Sequence, residues 1–233
     1  MNSFARLNRI MGWVMFAIAL AVYTLTLEQS VSLWDCGEFA SAAYRLQVVH
    51  PPGAPLFLMV GRLFSLMASS PEMVGFWINM VSAVASAGCV MFTFWITTYF
   101  AERMVDDDNK SKLLLVLGAG TVAALTNTFI DSFWFSAVES EVYAMSSFFT
   151  ALTFWAVLRW WKDADNVGAD RWLVFIAFMI GLTTEIEPDD SVVIDRSLDS
   201  RKFSAETGYR AADWTTLIKE MHDDWLAGGI VNV

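Results

Sequence analysis

Pro55-Leu56-Phe57-Leu58-Met59-Val60-Gly61-Arg62-Leu63-Phe64-Ser65-Leu66-Met67-Ala68 is the run whose reading decides the fold. It is one of six apolar runs, with Ile10 to Leu27, Phe76 to Phe100, Leu113 to Ile130, Val142 to Trp161 and the shorter Trp172 to Leu182. If it crosses a membrane, the basic loop Arg103-Lys110-Lys112 falls outside, and Glu139 and Glu141 lie on the opposite side from Asp35. If it is re-entrant or lies on the surface, Arg6 and Arg9, then Arg103, Lys110 and Lys112, then Arg159, Lys162 and Arg171 all become cytoplasmic, as the positive-inside rule asks. Asp35, Glu38, Asp131, Glu139 and Glu141 then all become external. Fourteen residues with a central arginine suit the second reading, because runs of about that length are more often interfacial than spanning. Arg62 then snorkels to the headgroups or meets a lipid phosphate.

Composition independently places the chain in a membrane. Hydrophobic residues make up 56% of the 233, with 11 Trp and 18 Phe, and mean hydropathy is +0.46. Soluble domains hold an apolar share of about 45–50%. Ile10 to Leu27, at about 1.5 Å per residue, reaches about 27 Å against a hydrocarbon core near 30 Å. No small-x-small cleavage site follows it, so it reads as a retained span and not as a signal peptide. Tyr143 and the cluster Trp155, Trp160 and Trp161 read most simply as an interfacial aromatic belt. The fold expected is an all-α polytopic membrane protein over residues 1–182, with four full spans, a truncated fifth, and a re-entrant or interfacial helix.

After Leu182 the character changes. Eleven acids against five bases from position 184 onward give this stretch −6 of the chain's −10. Residues 183–233 are expected to be a short, acidic α+β soluble tail. Val192-Val193-Ile194 forms a strand, Asp199 caps a helix through Phe203, and Asp213 caps another from Trp214 to Leu226. So short a tail buries too little to be an independent domain. The acidity argues against nucleic acid as a partner. Cys36 and Cys89, one external and one inside a span, predict neither a disulfide nor a thiolate metal site.

Chemistry concentrates just outside the first span. Trp34-Asp35-Cys36-Gly37-Glu38 is followed by a spacer in which Phe39, Ala43 and Leu46 recur at helical intervals, and then by His50-Pro51-Pro52-Gly53. A short amphipathic helix at the membrane surface would hold these acids at headgroup level. Moving a sugar from a lipid phosphate to a hydroxyl needs a base for the acceptor proton and help for the departing phosphate. Asp35 or Glu38 suits the first role, with a pKa raised by partial desolvation. His50 suits substrate orientation or phosphate contact. A structural reading competes: Asp35-x-x-Glu38 and Ser136-x-x-Glu139 are both capping boxes, and Glu139 and Glu141 favour the positive end of the following helix in any protein. On that reading the chain is a non-enzymatic membrane scaffold or transport subunit.

Tyr23 through Glu28, Leu33-Trp34-Asp35-Cys36-Gly37-Glu38-Phe39, His50-Pro51-Pro52-Gly53-Ala54-Pro55-Leu56-Phe57 and Glu139-Ser140-Glu141-Val142-Tyr143 together resemble the amino-terminal part of a large bacterial membrane family akin to protein O-mannosyltransferases, within the GT-C glycosyltransferases. The resemblance covers residues 1–182. It implies a hexose, mannose foremost, transferred from a polyprenyl-phosphate donor to protein hydroxyls at the external face of a bacterial inner membrane. Asp35 is the implied first-loop catalytic acid and Glu38 its neighbour. His50, Arg62, Glu139, Glu141 and Tyr143 are substrate-binding candidates. No cofactor is implied, and the use of a divalent metal is left open. The implied partners are the lipid-linked donor, a protein acceptor and membrane lipids.

Members of that family carry more spans, so on this expectation the chain alone lacks most of a transferase core and is inactive by itself. Residues 185–227 are more weakly similar to the last segment of dehydrorhamnose-reductase-like extended short-chain dehydrogenases. They carry neither a glycine-rich nucleotide loop nor a Tyr-x-x-x-Lys pair, so no reductase activity follows. The junction reads as an inactive composite of two unrelated reading frames.

Overall fold

The computed structural model describes residues 3–50, 54–106 and 111–183, together with Thr216, Lys219 and Asp223. The chain divides into two units, Met1–Glu187 and Pro188–Val233. In the second unit the three described residues are helical and exposed, at positions inside the helix expected from Trp214 to Leu226. The strand at Val192 to Ile194 and the helix capped by Asp199 lie outside the described residues.

In the first unit every described element is helical: α1 (Ser3–Leu25), α2 (Cys36–Arg45), α3 (Pro55–Ser65), a 3-10 turn at Pro71–Met73, α4 (Val74–Met104), α5 (Lys112–Thr128), α6 (Asp131–Ala137), α7 (Val142–Asp163) and α8 (Asp170–Thr183). α1, α4 (counted with its leading 3-10 turn) and α7 are long and apolar enough to cross a membrane. The run read as one span from Leu113 to Ile130 instead ends at Thr128. α6 departs from it at 68°, and only if the bent pair is taken as one span does the number of crossings rise to four. α8 begins two residues earlier and ends one later than the run Trp172 to Leu182, yet its 14 residues measure only about 21 Å.

α4 is the central element. In its most apolar window 67% of residues are buried, against 22% in α1 and 17% in α7. A helix apolar on all sides belongs inside a bundle. Ser82, Ala83, Ala85, Ser86, Ala87 and Gly88 are all buried along it, and such small side chains let neighbouring helices approach closely. At Gly88 an added Cβ would lie 2.6 Å from the Phe148 ring of α7.

α1 and α5 run antiparallel to α4, α7 runs parallel to it, with Gly88 meeting Phe148 and Phe100 meeting Phe154, and long-range bonds mark the two ends of the bundle. Trp95 Nε1 donates to the Asn8 carbonyl at 3.2 Å, joining the start of α1 to the late turns of α4. Tyr23 Oη donates to the Thr128 carbonyl at 3.1 Å, joining the end of α1 to the end of α5. α2 and α3 cover the first turns of α4, where Phe39, Ala43, Phe57 and Leu58 bury against Ile78 and Val81. The expected amphipathic face of α2 is therefore present through Phe39 and Ala43 but not through Leu46. That residue stops the helix with φ 52° and is 61% exposed.

Candidate functional site

Two loops meet at the end of the bundle where α1 finishes, and α4 pins both. Asn79, fully buried on the second turn of α4, donates through Nδ2 to the carbonyls of Glu28 and Ser30, each at 2.9 Å. Its Oδ1 accepts the Ser140 hydroxyl. Glu28 N donates to the Val138 carbonyl at 3.1 Å, and Ser82 Oγ reaches the Glu141 carbonyl at 3.4 Å. Gly75 makes the fit possible, because a Cβ there would stand 2.8 Å from the Ser30 carbonyl oxygen. Buried polar groups of this kind are stable only when partnered. Asn79 and Ser140 carry no reactive chemistry, and the sequence reading passed over them. The available signal was a lone asparagine in an otherwise apolar run.

The pinned loops bring the acids together. Ser32 Oγ donates to the Glu139 carboxylate, which is 8% exposed. Cys36 Sγ donates to Glu141 Oε1 at 3.5 Å. Glu141 is held above the ordinary carboxyl range, first by burial, then by the charges of Glu139 and Asp35, while the Cys36 thiol and His50 act in the other direction. Burial likewise pushes the Cys36 thiol up to about 11, so it is a donor here and not a nucleophile.

On the exposed side of the cluster, one ligand atom each from Asp35, Glu38 and His50 lies within 4.8 Å of the others. Glu38 Oε2 and His50 Nδ1 are 2.9 Å apart, and the His50 backbone N–H donates to Glu38 Oε1 at 2.8 Å. These bonds from His50, side chain first, hold Glu38 below the usual carboxyl range. The His50 ring also meets Phe39 edge-on at 5.8 Å. The three residues have the donor atoms to hold a divalent cation; the His50–Glu38 bonds account for the closeness of those two without one, and Asp35 stands beside them at the start of α2.

None of the four acids caps a helix. Asp35 stands at the N-cap of α2 with helical φ −77° and ψ −11° and makes no side-chain capping bond. Glu38 turns to His50 instead of back to Asp35. Glu141, not Ser136 or Glu139, holds the N-cap position of α7, again without a capping bond. Ser136 Oγ bonds to Ser132 within α6. The capping boxes legible in the sequence are therefore not formed. Among the described residues the Asp35 carboxylate makes no hydrogen bond, so it faces solvent unspent.

Not every candidate joins the cluster. Arg62 Nη1 donates to the Tyr44 carbonyl at 2.8 Å and lies over the Tyr44 ring at 5.1 Å. That is the far end of α2, about 13 Å along the helix from Asp35. Tyr143 is 65% exposed on the first turn of α7 and makes no hydrogen bond or ring contact among the described residues. Pro51 and Pro52 lie outside them. Leu33 and Trp34, 90% and 91% exposed, flank the acids and suit the headgroup region of a bilayer. Trp34 takes φ 74°, a conformation costly for a bulky residue, and it turns the chain into α2.

A protein O-mannosyl-transferase tmem260 of Dictyostelium discoideum is 26% identical over 145 residues, covering 60% of this chain and 16% of its own length. Protein O-mannosyl-transferase TMEM260 of Mus musculus is 28% identical over 168 residues, covering 72% of this chain and 22% of its own length. The chain thus spans less than a quarter of the length of these relatives. No solved structure matches it significantly. The family described as the protein O-mannosyl-transferase TMEM260 N-terminal domain matches residues 35–188, from the candidate acid Asp35 past the end of α8, and the chain is an integral membrane protein belonging to that family.

Proposed function

We propose that this chain supplies the first-loop acid of a GT-C-type membrane glycosyltransferase that moves mannose from a polyprenyl-phosphate donor to a protein hydroxyl. One observation carries the reading: four acids that had a structural use as helix caps are not used so, and are gathered from two distant loops at one end of the bundle. The names of the relatives support the reaction class. A bacterial setting rests on the motif resemblance alone, and both relatives named above are eukaryotic.

In the proposed reaction the acceptor oxygen attacks the anomeric carbon and its proton passes to the Asp35 carboxylate. The bond from that carbon to the phosphate oxygen breaks, and its electron pair leaves with the polyprenyl phosphate. Glu38, kept anionic by His50, fixes the imidazole for contact with substrate. Glu141, already shifted toward its neutral form, offers a hydrogen bond to a sugar hydroxyl beside Glu139 and Tyr143. Arg62 meets a lipid phosphate at the far end of α2 by turning from the Tyr44 carbonyl. The rest of the donor and acceptor sites belongs to the length of the relatives that this chain does not span.

The topology that fits counts α5 and α6 as one bent fourth span and leaves α3 on the surface. The amino terminus is then cytoplasmic and the acids external. Donor chemistry tests the reading. Membranes carrying the chain within a full-length transferase should move labelled mannose from polyprenyl phosphate mannose to an acceptor peptide. Equal transfer from a nucleotide sugar in membranes depleted of polyprenyl phosphate would overturn it.

A further inference from the structure

At the opposite end of the bundle from the acids, α1, α4, α7 and α8 enclose a cavity of about 490 Å³, within the range of small-ligand sites. Its charged lining residues are Arg9, Arg159 and Lys162 against the single acid Glu102. Arg159 is the centre of it. Its guanidinium faces the indoles of Trp155 and Trp172 at 5.9 and 6.0 Å, and its Nε is buried without a hydrogen-bond partner. Asn8 Oδ1, on another wall, is also buried and unpartnered. Asp163, the acid after Lys162 on α7, is engaged by Trp172 Nε1 at 3.3 Å.

A buried N–H on a charged group and a buried amide oxygen are both costly to leave unmet. The cavity therefore presents a cationic donor set and one acceptor, walled by aromatic rings. A guanidinium fork with a nearby ammonium matches a phosphate. The unmet amide oxygen matches a hydroxyl. The position at the ends of apolar helices puts the cavity at headgroup depth, where the local source of phosphate is lipid.

We propose that this cavity binds the phosphate and a headgroup hydroxyl of an anionic glycerophospholipid in the leaflet opposite the acidic site. Arg159 and Lys162 take the phosphate oxygens, and Asn8 Oδ1 accepts from the hydroxyl. The site is separate from the proposed sugar-transfer chemistry and stands whether or not that chemistry is correct.

Native mass spectrometry of the purified chain in detergent, titrated with phosphatidylglycerol or phosphatidylcholine, tests the proposal. One phosphatidylglycerol should be retained per chain in preference to phosphatidylcholine. Arg159→Gln should weaken it about tenfold, as expected for one charge-assisted hydrogen bond. Lys162→Gln, a milder change that keeps the indole contacts, should weaken it about threefold with an unchanged melting temperature. Lys112→Gln, outside the cavity, should have no effect. Equal retention of the two lipids would overturn the proposal, as would binding unaltered by both cavity variants. Retention of inorganic phosphate as tight as that of the lipid would assign the cavity to a soluble anion and overturn the lipid.

Discussion

Ser140 donates its hydroxyl to Asn79 Oδ1, and through that one bond the loop before α7 is tied to the same α4 side chain that holds the Glu28 and Ser30 carbonyls. This fully buried pair, with the bond from Glu28 N to the Val138 carbonyl, holds together the loops that carry the acids. Asn79→Leu leaves two carbonyls and one hydroxyl unmet and should destabilise the fold by about 3 kcal/mol or more. Ser140→Ala should cost about 1–2 kcal/mol, and the double variant less than the sum. Thermal unfolding in detergent measures all three, and strict additivity would show that the two residues act independently.

Glu141 provides a pH test. Because its folded pKa lies above the ordinary 4.5, the native state holds its proton more tightly than the unfolded chain. Its charge therefore reduces stability as pH rises through the window from about 4.5 to the raised value. Glu141→Gln removes this cost while keeping an acceptor for the Cys36 thiol. The variant should melt higher than the parent at pH 7 and at the same temperature at pH 4. A variant that melts lower at pH 7 would contradict the burial argument.

Glu38 has the opposite sign. Held below 4.5 by the His50 hydrogen bonds, it adds stability above its unfolded pKa and loses it as pH falls through its lower folded value. The pair is exposed, so the effect is small. Glu38→Gln should lower the melting temperature slightly at pH 6, and the difference should shrink as pH falls below the ordinary 4.5. A loss that stays constant as pH falls would mean that Glu38 acts through packing and not through charge.

Much of this was legible in the chain. The long apolar windows give α1, α4 and α7 directly, and the charge parity of the loops around Pro55 to Ala68 places Asp35, Glu38, Glu139 and Glu141 at one end. Three features were not legible, each for a physical reason. The run Leu113 to Ile130 counts as a full span by hydropathy, yet its helix stops at Thr128 and α6 turns away from it at 68°, because apolar composition alone does not record where a helix ends. Leu46 fits the apolar period of α2, but the left-handed stop at that residue turns it out to solvent. The capping boxes satisfy the local pattern, yet His50, Ser32 and Cys36 compete for three of the four acids from outside it. Local sequence does not record such long-range partners.

The orientation is testable at exposed positions. Leu33, on the loop before α2, is 90% exposed and Met104, the last residue of α4, is 84% exposed, at opposite ends of the bundle. On a background lacking Cys36 and Cys89, Leu33→Cys should react with an impermeant maleimide in intact cells. Met104→Cys should react only after permeabilisation. The reverse pattern would invert the proposed topology.

The central claim is that Asp35 is a base and not a cap, and Asp35→Asn tests it most directly. The substitution should be made in this chain and at the matching position of a full-length relative. Mannose transfer to an acceptor peptide should fall by about 10²- to 10⁴-fold, while the melting temperature in detergent stays that of the parent, because Asp35 makes no capping bond. Full transfer activity with a melting temperature lowered by the loss of about 1 kcal/mol, the ordinary cost of a missing cap, would contradict the account.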